Sequence, residues 1–245
     1  LRDEQGRVAG VCGGLGVTVD TFLPTAEVFN RILKVRGASE GTGLIADIGH
    51  FQYLVTAAHV AGDSGATDLS VFHDEKWNIY KITVVGVDEK YDVAVLRLPL
   101  FLERRPLPLE ISAAGIAWGQ TVFFLGYPFG EYGLASIYGN GVLPMPFVKR
   151  ACLSMFGTPG NPQSIILDGI NNVGFSGAPI VFSSNGKPRV AGIITGYREE
   201  QRLIDFAYKA GQVEKAVYAQ NTGLIYGAGS KVILDLIEKN PIGYP

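Results

Sequence analysis

A chain of 245 residues that is 47% hydrophobic can bury an ordinary globular core, in one large domain or in two smaller ones that share it. A net charge of −2 and a pI near 6.0 remove the basic footprint of a nucleic-acid binder. No apolar run is long enough to span a bilayer, so no membrane span is expected.

The N-terminus, Leu1 to Gly6, is polar and lacks both a secretory apolar run and an initiator methionine, which leaves room for a removed leader. Gly6, Gly10, Gly13, Gly14 and Gly16 give the first twenty-odd residues the texture of an extended arm. Its apolar residues Val8, Val11, Leu15, Val17, Val19 and Phe22 suit docking on a neighbouring subunit, a route to a homo-oligomer, or packing on the chain's own core. Thr25 to Val35 reads as one short helix capped by Thr25, with Val28, Phe29, Ile32 and Leu33 on one face.

After Gly37 come short strands broken by Gly, Asp, Asn and Pro: Leu44–Ile48, Tyr53–Thr56, Leu69–Phe72, Ile79–Val87 and Val93–Leu98. Pro99 to Ser112, with three prolines and the cluster Glu103-Arg104-Arg105, reads as a linker between halves. Strand texture resumes at Thr121–Leu125 and returns at Ile165–Leu167, Pro179–Phe182, Val190–Thr195 and Gly223–Tyr226. A last helix is predicted over Ser230–Lys239, with Ser230 as cap, Val232, Ile233, Leu236 and Ile237 as its apolar face and Pro241 beyond its end. The expected organisation is an arm and helix (1–36), a first barrel (37–105), a second barrel (106–226) and a C-terminal helix and tail (227–245). Cys12 and Cys152 have no metal-ligand spacing and read as two separate thiols, although one disulfide stays open. Nothing calls for a metal or an organic cofactor.

Chemistry concentrates in three segments. Leu54-Val55-Thr56-Ala57-Ala58-His59 ends an apolar strand on a histidine among small neighbours. Tyr91-Asp92-Val93-Ala94-Val95-Leu96 opens a strand with a carboxylate, and a carboxylate flanked by burial needs a partner such as an imidazole N–H. Gly174-Phe175-Ser176-Gly177-Ala178-Pro179 places a serine between glycines, where a tight turn aims two backbone N–H groups at one point. Only three histidines exist, and His50 and His73 lie in turns that read as surface. No histidine follows Ser176, which excludes the α/β-hydrolase order, and no H-E-x-x-H occurs. What remains is the order His, Asp, Ser: His59 as base, Asp92 as its orienting partner, Ser176 as nucleophile, and the N–H groups of Gly174 and Ser176 as an oxyanion hole.

With these residues the chain resembles a trypsin-like serine peptidase, most of all the HtrA/Deg type of protease domain without a PDZ domain. Gly41-Thr42-Gly43 is similar to that family's glycine turn opening the first barrel. Gly126-Tyr127-Pro128-Phe129-Gly130 is similar to the start of the second, and Asp168 to Ser176 resembles the nucleophile loop. The resemblance implies an all-β, chymotrypsin-like fold of two antiparallel Greek-key barrels with the site in the cleft between them. Walls of the primary pocket are then expected from Ile170, Asn172 and Val173 and from Ile193, Ile194, Thr195 and Gly196. The apolar Ile170 at the base implies a preference for medium apolar residues before the scissile bond. The polypeptide substrate would lie as an extended strand beside 193–196.

Two departures stand out. Ala178 replaces a usual glycine, and Phe175 replaces the aspartate of digestive enzymes that receives a newly cut N-terminus. Arg7-Val8-Ala9-Gly10 is faintly similar to such a cut site, yet no trypsin-type zymogen switch is expected without the acceptor. Two other readings stay open: a catalytically silent module of the same fold used for protein binding, and an esterase.

Overall fold

The structure is a computed structural model that describes residues 23–62, 65–100, 109–136, 142–207 and 213–245. The glycine-rich arm, Cys12, the Arg7–Gly10 segment and most of the proline-rich linker lie outside the described residues. The first sheet holds β1 (Ile32–Arg36), β2 (Glu40–Ile48), β3 (Phe51–Ala57), β4 (Asp68–His73), β5 (Lys76–Lys81), β6 (Thr83–Asp88) and β7 (Val93–Arg97). Its order is β5-β4-β1-β2-β3-β7-β6, antiparallel throughout.

The second sheet draws on β8 (Glu110–Ile111) and β9 (Thr121–Gly126). A separate hairpin follows, β10 (Gly133–Ser136) with β11 (Val142–Met145). Then come β12 (Phe147–Thr158), β13 (Asn161–Asp168), β14 (Pro179–Ser184), β15 (Lys187–Ala207) and β16 (Val213–Gly229). The order is β14-β9-β12-β13-β16-β15-β8, and an added pairing of β14 with β15 curls the sheet on itself. The described residues also hold the α-helices α1 (Ala26–Phe29), α2 (Ala58–Ala61) and α3 (Ser230–Lys239) and a 3-10 turn at Pro128–Gly130. The fold is thus all-β, two curled sheets forming the chymotrypsin-like double barrel.

Three apolar layers explain why the strands read as unbroken hydrophobic runs. One fills the first barrel, with Leu33, Val35, Ile45, Leu54, Ala94 and Leu96. Another fills the second, with Val122, Phe124, Leu153, Ile165, Phe175 and Ile180. The third lies between the barrels and takes the opposite faces of the same strands: Leu44, Val55, Val93 and Val95 against Leu125, Val181 and Ile193. Successive residues of a strand point to opposite faces, so a strand covered on both sides is apolar at every position.

The predicted helix over 25–35 is mostly not a helix. Only Ala26–Phe29 is helical, and Ile32–Arg36 is β1, paired with both β2 and β4. Pairing on both edges outweighed the i, i+3, i+4 pattern of four apolar residues. The segment assigned to the arm and helix therefore supplies a strand of the first sheet. Ile79–Val87, predicted as one strand, is β5 and β6 broken at Ile82.

The helix α3 has the predicted bounds, but its cap position is Gly229 and no side chain caps it. Ser230 is instead a buried first-turn residue. Val232, Ile233, Leu236 and Ile237 are buried as expected. Gly86 lets α3 approach β6: a Cβ there would lie 2.9 Å from Leu236. Beyond the helix, Asn240 donates to Val85 O (2.9 Å) and Tyr244 bridges Gln52. The C-terminus thus returns from β16 of the second sheet to the first barrel.

Candidate active site

β3 ends at Ala57 and the chain turns into α2, whose second residue is His59. The turn is short because Asp92 supplies its bonds. Asp92 Oδ1 accepts the His59 backbone N–H (2.9 Å), and its own carbonyl accepts Ala58 N–H (3.1 Å). Asp92 Oδ2 lies 2.6 Å from His59 Nδ1. Asp92 holds φ +55°, a left-handed conformation in which Asp is among the few non-glycine residues found regularly. It sits just before β7, whose pairing with β3 fixes its position beside α2. The hydrogen bond and charge of Asp92 raise the imidazole above its ordinary value, with burial opposing. Nδ1 is committed to Asp92, which leaves Nε2 as the nitrogen able to take a proton.

The other two histidines do not enter this site. His50 is exposed, and His73 lies between Asp74 (2.9 Å) and the Tyr80 hydroxyl (2.6 Å) at the far end of β4. Asp168 is exposed at the end of β13.

Ser176 comes from the loop between β13 and β14, in the second barrel. Every carbonyl from 170 to 176 has a donor. Lys149 Nζ gives to Ile170 O (2.8 Å) and Asn221 Nδ2 to Asn171 O (2.8 Å). Phe175 N gives to Asn172 O (3.3 Å), Phe129 N to Val173 O (2.8 Å) and Ala178 N to Phe175 O (2.8 Å). Thr42 serves twice, its Oγ1 donating to Gly174 O (2.8 Å) and its N–H to Ser176 O (2.8 Å). Among the described residues the N–H groups of Gly174 and Ser176 have no acceptor. Gly174 has φ +101°, and a Cβ there would lie 2.1 Å from Tyr127 O, so only glycine fits. Gly177, at φ +87°, is as tight, 2.0 Å from Thr42 O.

Gly41 joins the halves. A Cβ on it would lie 2.6 Å from the side chain of Val60, the residue after His59, and 2.8 Å from Ser176 O. Gly41-Thr42-Gly43, expected as a turn, lies inside β2; its glycines serve close approach, not chain reversal. Phe175 and Ala178 are both fully buried in the second barrel's core, with Phe175 edge-on to Phe124 at 4.9 Å. Neither side chain enters the cleft.

The expected pocket residues separate into two groups. Ile170 and Val173 are 55% and 60% exposed, so their side chains are available at an open, apolar rim. Asn172 is occupied, its Oδ1 by Lys149 and its N–H by Asn171. Ile193 and Ile194 are fully buried core residues. The backbone of Ile194 is used on both sides, by Ala178 O and Gly177 N. Ile193 pairs with both Pro179 and Ala228. Neither reaches the cleft. A bulge between Ile194 and Gly196 leaves Thr195 outside the β16 register; Thr195 and Gly196 are partly exposed, Gly196 pairs with Tyr226 and its carbonyl accepts from Asn171 Nδ2 (3.4 Å).

Sequence reasoning missed the donors Thr42, Lys149 and Asn221, and Asn171, whose Nδ2 donates to Gly196 O (3.4 Å); all four act on backbone groups. On the first-barrel side, His59 and Asp92 border a cavity of about 360 Å³ whose other lining includes Ala38, Gly62, Val87 and Glu89. Among the described residues no group of three His, Cys, Asp or Glu side chains is placed to hold a metal ion, and no helix is long and apolar enough to cross a membrane.

Residues 41–193 match the model of the trypsin-like peptidase domain family. Protease Do-like 1, chloroplastic, of Arabidopsis thaliana is 35% identical over 157 residues, 62% of this chain and 32% of that protein. The chain therefore spans about a third of that relative's length. Among solved structures, the HtrA-type protease AlgW with tripeptide aligns with TM-score 0.56 and 21% identity, over 87% of this chain and 61% of that one. The inactive form of Rv3671c protease aligns with TM-score 0.51 and 22% identity, over 88% and 91%.

Proposed function

We propose that this chain, which belongs to the trypsin-like peptidase family, is a serine endopeptidase that cleaves polypeptides through an acyl-enzyme. The observation that carries this reading is the nucleophile loop. Its carbonyls from 170 to 176 are all held, and the Gly174 and Ser176 N–H groups have no acceptor among the described residues. Preorganised donors of that kind stabilise the oxyanion of a tetrahedral intermediate, because they need no reorganisation as charge develops.

In this reading His59 Nε2 takes the Ser176 hydroxyl proton as Oγ attacks the scissile carbonyl. The resulting imidazolium is stabilised by Asp92, which stays ionised and holds the ring by Nδ1. His59 then gives the proton to the leaving amine. Water repeats the sequence and releases the acid. Gly174 and Ser176 N–H bind the oxyanion in both halves.

The substrate segment before the scissile bond lies extended beside Thr195, the β15 residue left outside the β16 register by the bulge. Its last side chain meets Ile170 and Val173, which favours medium apolar residues. What speaks against the silent-module reading is that Phe175 and Ala178 are core residues of the second barrel. Cleavage of an unfolded protein by the wild type and not by Ser176→Ala tests the proposal; equal cleavage by both refutes it.

A further inference from the structure

Lys149 holds the nucleophile loop from the outside. It projects from β12 where that strand pairs with β9, opposite Phe124, and just before the β13 pairing begins at Cys152. Its ammonium donates to Ile170 O (2.8 Å) and to Asn172 Oδ1, and lies 5.4 Å from the centre of the Phe175 ring. One cation thus contacts three of the six residues that lead to Ser176. The loop contains no charged residue from 169 to 178 that could answer it. The attraction is instead to a carbonyl dipole, an amide oxygen and a ring face, all of which weaken if the loop shifts.

The other donors to this loop act elsewhere. Asn221 holds Asn171 O, while Phe129 and Thr42 hold Val173 O and Gly174 O. The Asn172 backbone is joined to the loop's own turn, because the Asn172 N–H donates to Asn171 Oδ1 and Phe175 N donates to Asn172 O. Fixing Asn172 therefore fixes the peptide plane two residues before Gly174.

We propose that Lys149 is a positioning residue that keeps the loop in the arrangement where the Gly174 and Ser176 N–H groups converge. It does the work of a fixed internal cation, supplied by the strand rather than by a new chain end. The proposal rests on the reading of Ser176 as nucleophile. It goes further by naming what holds the catalytic arrangement without a zymogen cut. Burial lowers the Lys149 value from that of an ordinary lysine, in keeping with an ammonium partly withdrawn from water.

The test compares wild type, Lys149→Met and Lys149→Arg. Methionine keeps the apolar stem and removes every donor, whereas arginine keeps donors and charge. Three readouts are taken: the rate of acylation by a fluorophosphonate probe, kcat and KM separately on one peptide, and amide hydrogen exchange over 169–178. A hydrogen-bonded cation of this kind contributes enough that Lys149→Met should lower acylation and kcat about tenfold or more. KM should change little, exchange should rise over 169–178 and not in β2 or β3, and Lys149→Arg should recover most of the loss.

Wild-type acylation and unchanged exchange in Lys149→Met would overturn the proposal. So would a loss that arginine does not relieve, or one accompanied by raised exchange throughout both barrels. If the wild type fails to react with the probe, the nucleophile reading falls; exchange over 169–178 still decides whether Lys149 holds the loop.

Discussion

Asp92 grips His59 at two points, 2.6 Å from the imidazole Nδ1 and 2.9 Å from the residue's own backbone nitrogen. One carboxylate thus sets both the ring's orientation and the helical turn that carries it. The Asp92→Asn variant keeps the shape and can present an N–H where the ring needs an acceptor, favouring the wrong tautomer. It should lose about ten-thousandfold in kcat while still folding, as a circular dichroism melt would show.

The same contact sets a pH profile. The Asp92 hydrogen bond raises the His59 value above the ordinary imidazole value of 6.5, and the base must be neutral to work. Activity should therefore rise with pH through a value above 6.5, with a lower-lying limb in any residual activity of Asp92→Asn. For stability the sign is opposite: the charged pair contributes fully below the unfolded-state value and its contribution fades as pH rises through the folded one. An acid limb in kcat/KM at or below that of a free imidazole would contradict the assignment.

Gly174→Ala places a Cβ 2.1 Å from Tyr127 O at a φ of +101°. The backbone has to move, at a cost of about 2 kcal/mol or more, and the N–H pair moves with it. Urea denaturation should show the destabilisation, and probe labelling of the folded fraction should vanish.

Thr42→Val removes a hydroxyl that donates to Gly174 O (2.8 Å) and accepts from Tyr127 N (3.3 Å), both buried. The buried Gly174 carbonyl that loses this donor costs about 2 kcal/mol. Steady-state kinetics should show kcat falling more than KM rises, and Thr42→Ser should restore most of it. An unchanged kcat in Thr42→Val would remove the hydroxyl from the loop's support.

Specificity is tested at Ile170, which is 55% exposed. Ile170→Asp should cost little stability, about 0.5 kcal/mol, since the carboxylate stays hydrated. A peptide library should then shift from medium apolar residues toward Lys and Arg. Strong selection for basic residues by the wild type would contradict the assignment of this wall.

What was legible in the sequence follows what side-chain chemistry can announce. The motifs around His59, Asp92 and Ser176 were readable as motifs of the trypsin-like peptidase family, whose model matches residues 41–193. The helix over Ser230–Lys239 was readable because one face is apolar and a proline follows. The region 25–35 misled because four apolar residues fit a helical face, while the partners that make Ile32–Arg36 a strand are distant in sequence.

β12 and the outer part of the β15–β16 hairpin were unreadable for a related reason. Runs such as Phe147-Val148-Lys149-Arg150 and Arg198-Glu199-Glu200 leave many side chains in water, so no apolar alternation marks them. Lys149, Asn171 and Asn221 carry no signature because they bond carbonyls and amide groups, which every residue type presents alike. The family resemblance implied Ile193 and Ile194 as pocket walls, whereas both are fully buried and the bulge after Ile194 leaves Thr195 outside the register.

The most direct measurement is labelling by a fluorophosphonate probe in the folded protein, beside Ser176→Ala and His59→Ala. The account predicts covalent modification of the wild type at Ser176 and none in either variant, because the attack needs both the oxygen and the base. A folded wild type that stays unlabelled, or labelling that survives in His59→Ala at the wild-type rate, would contradict it.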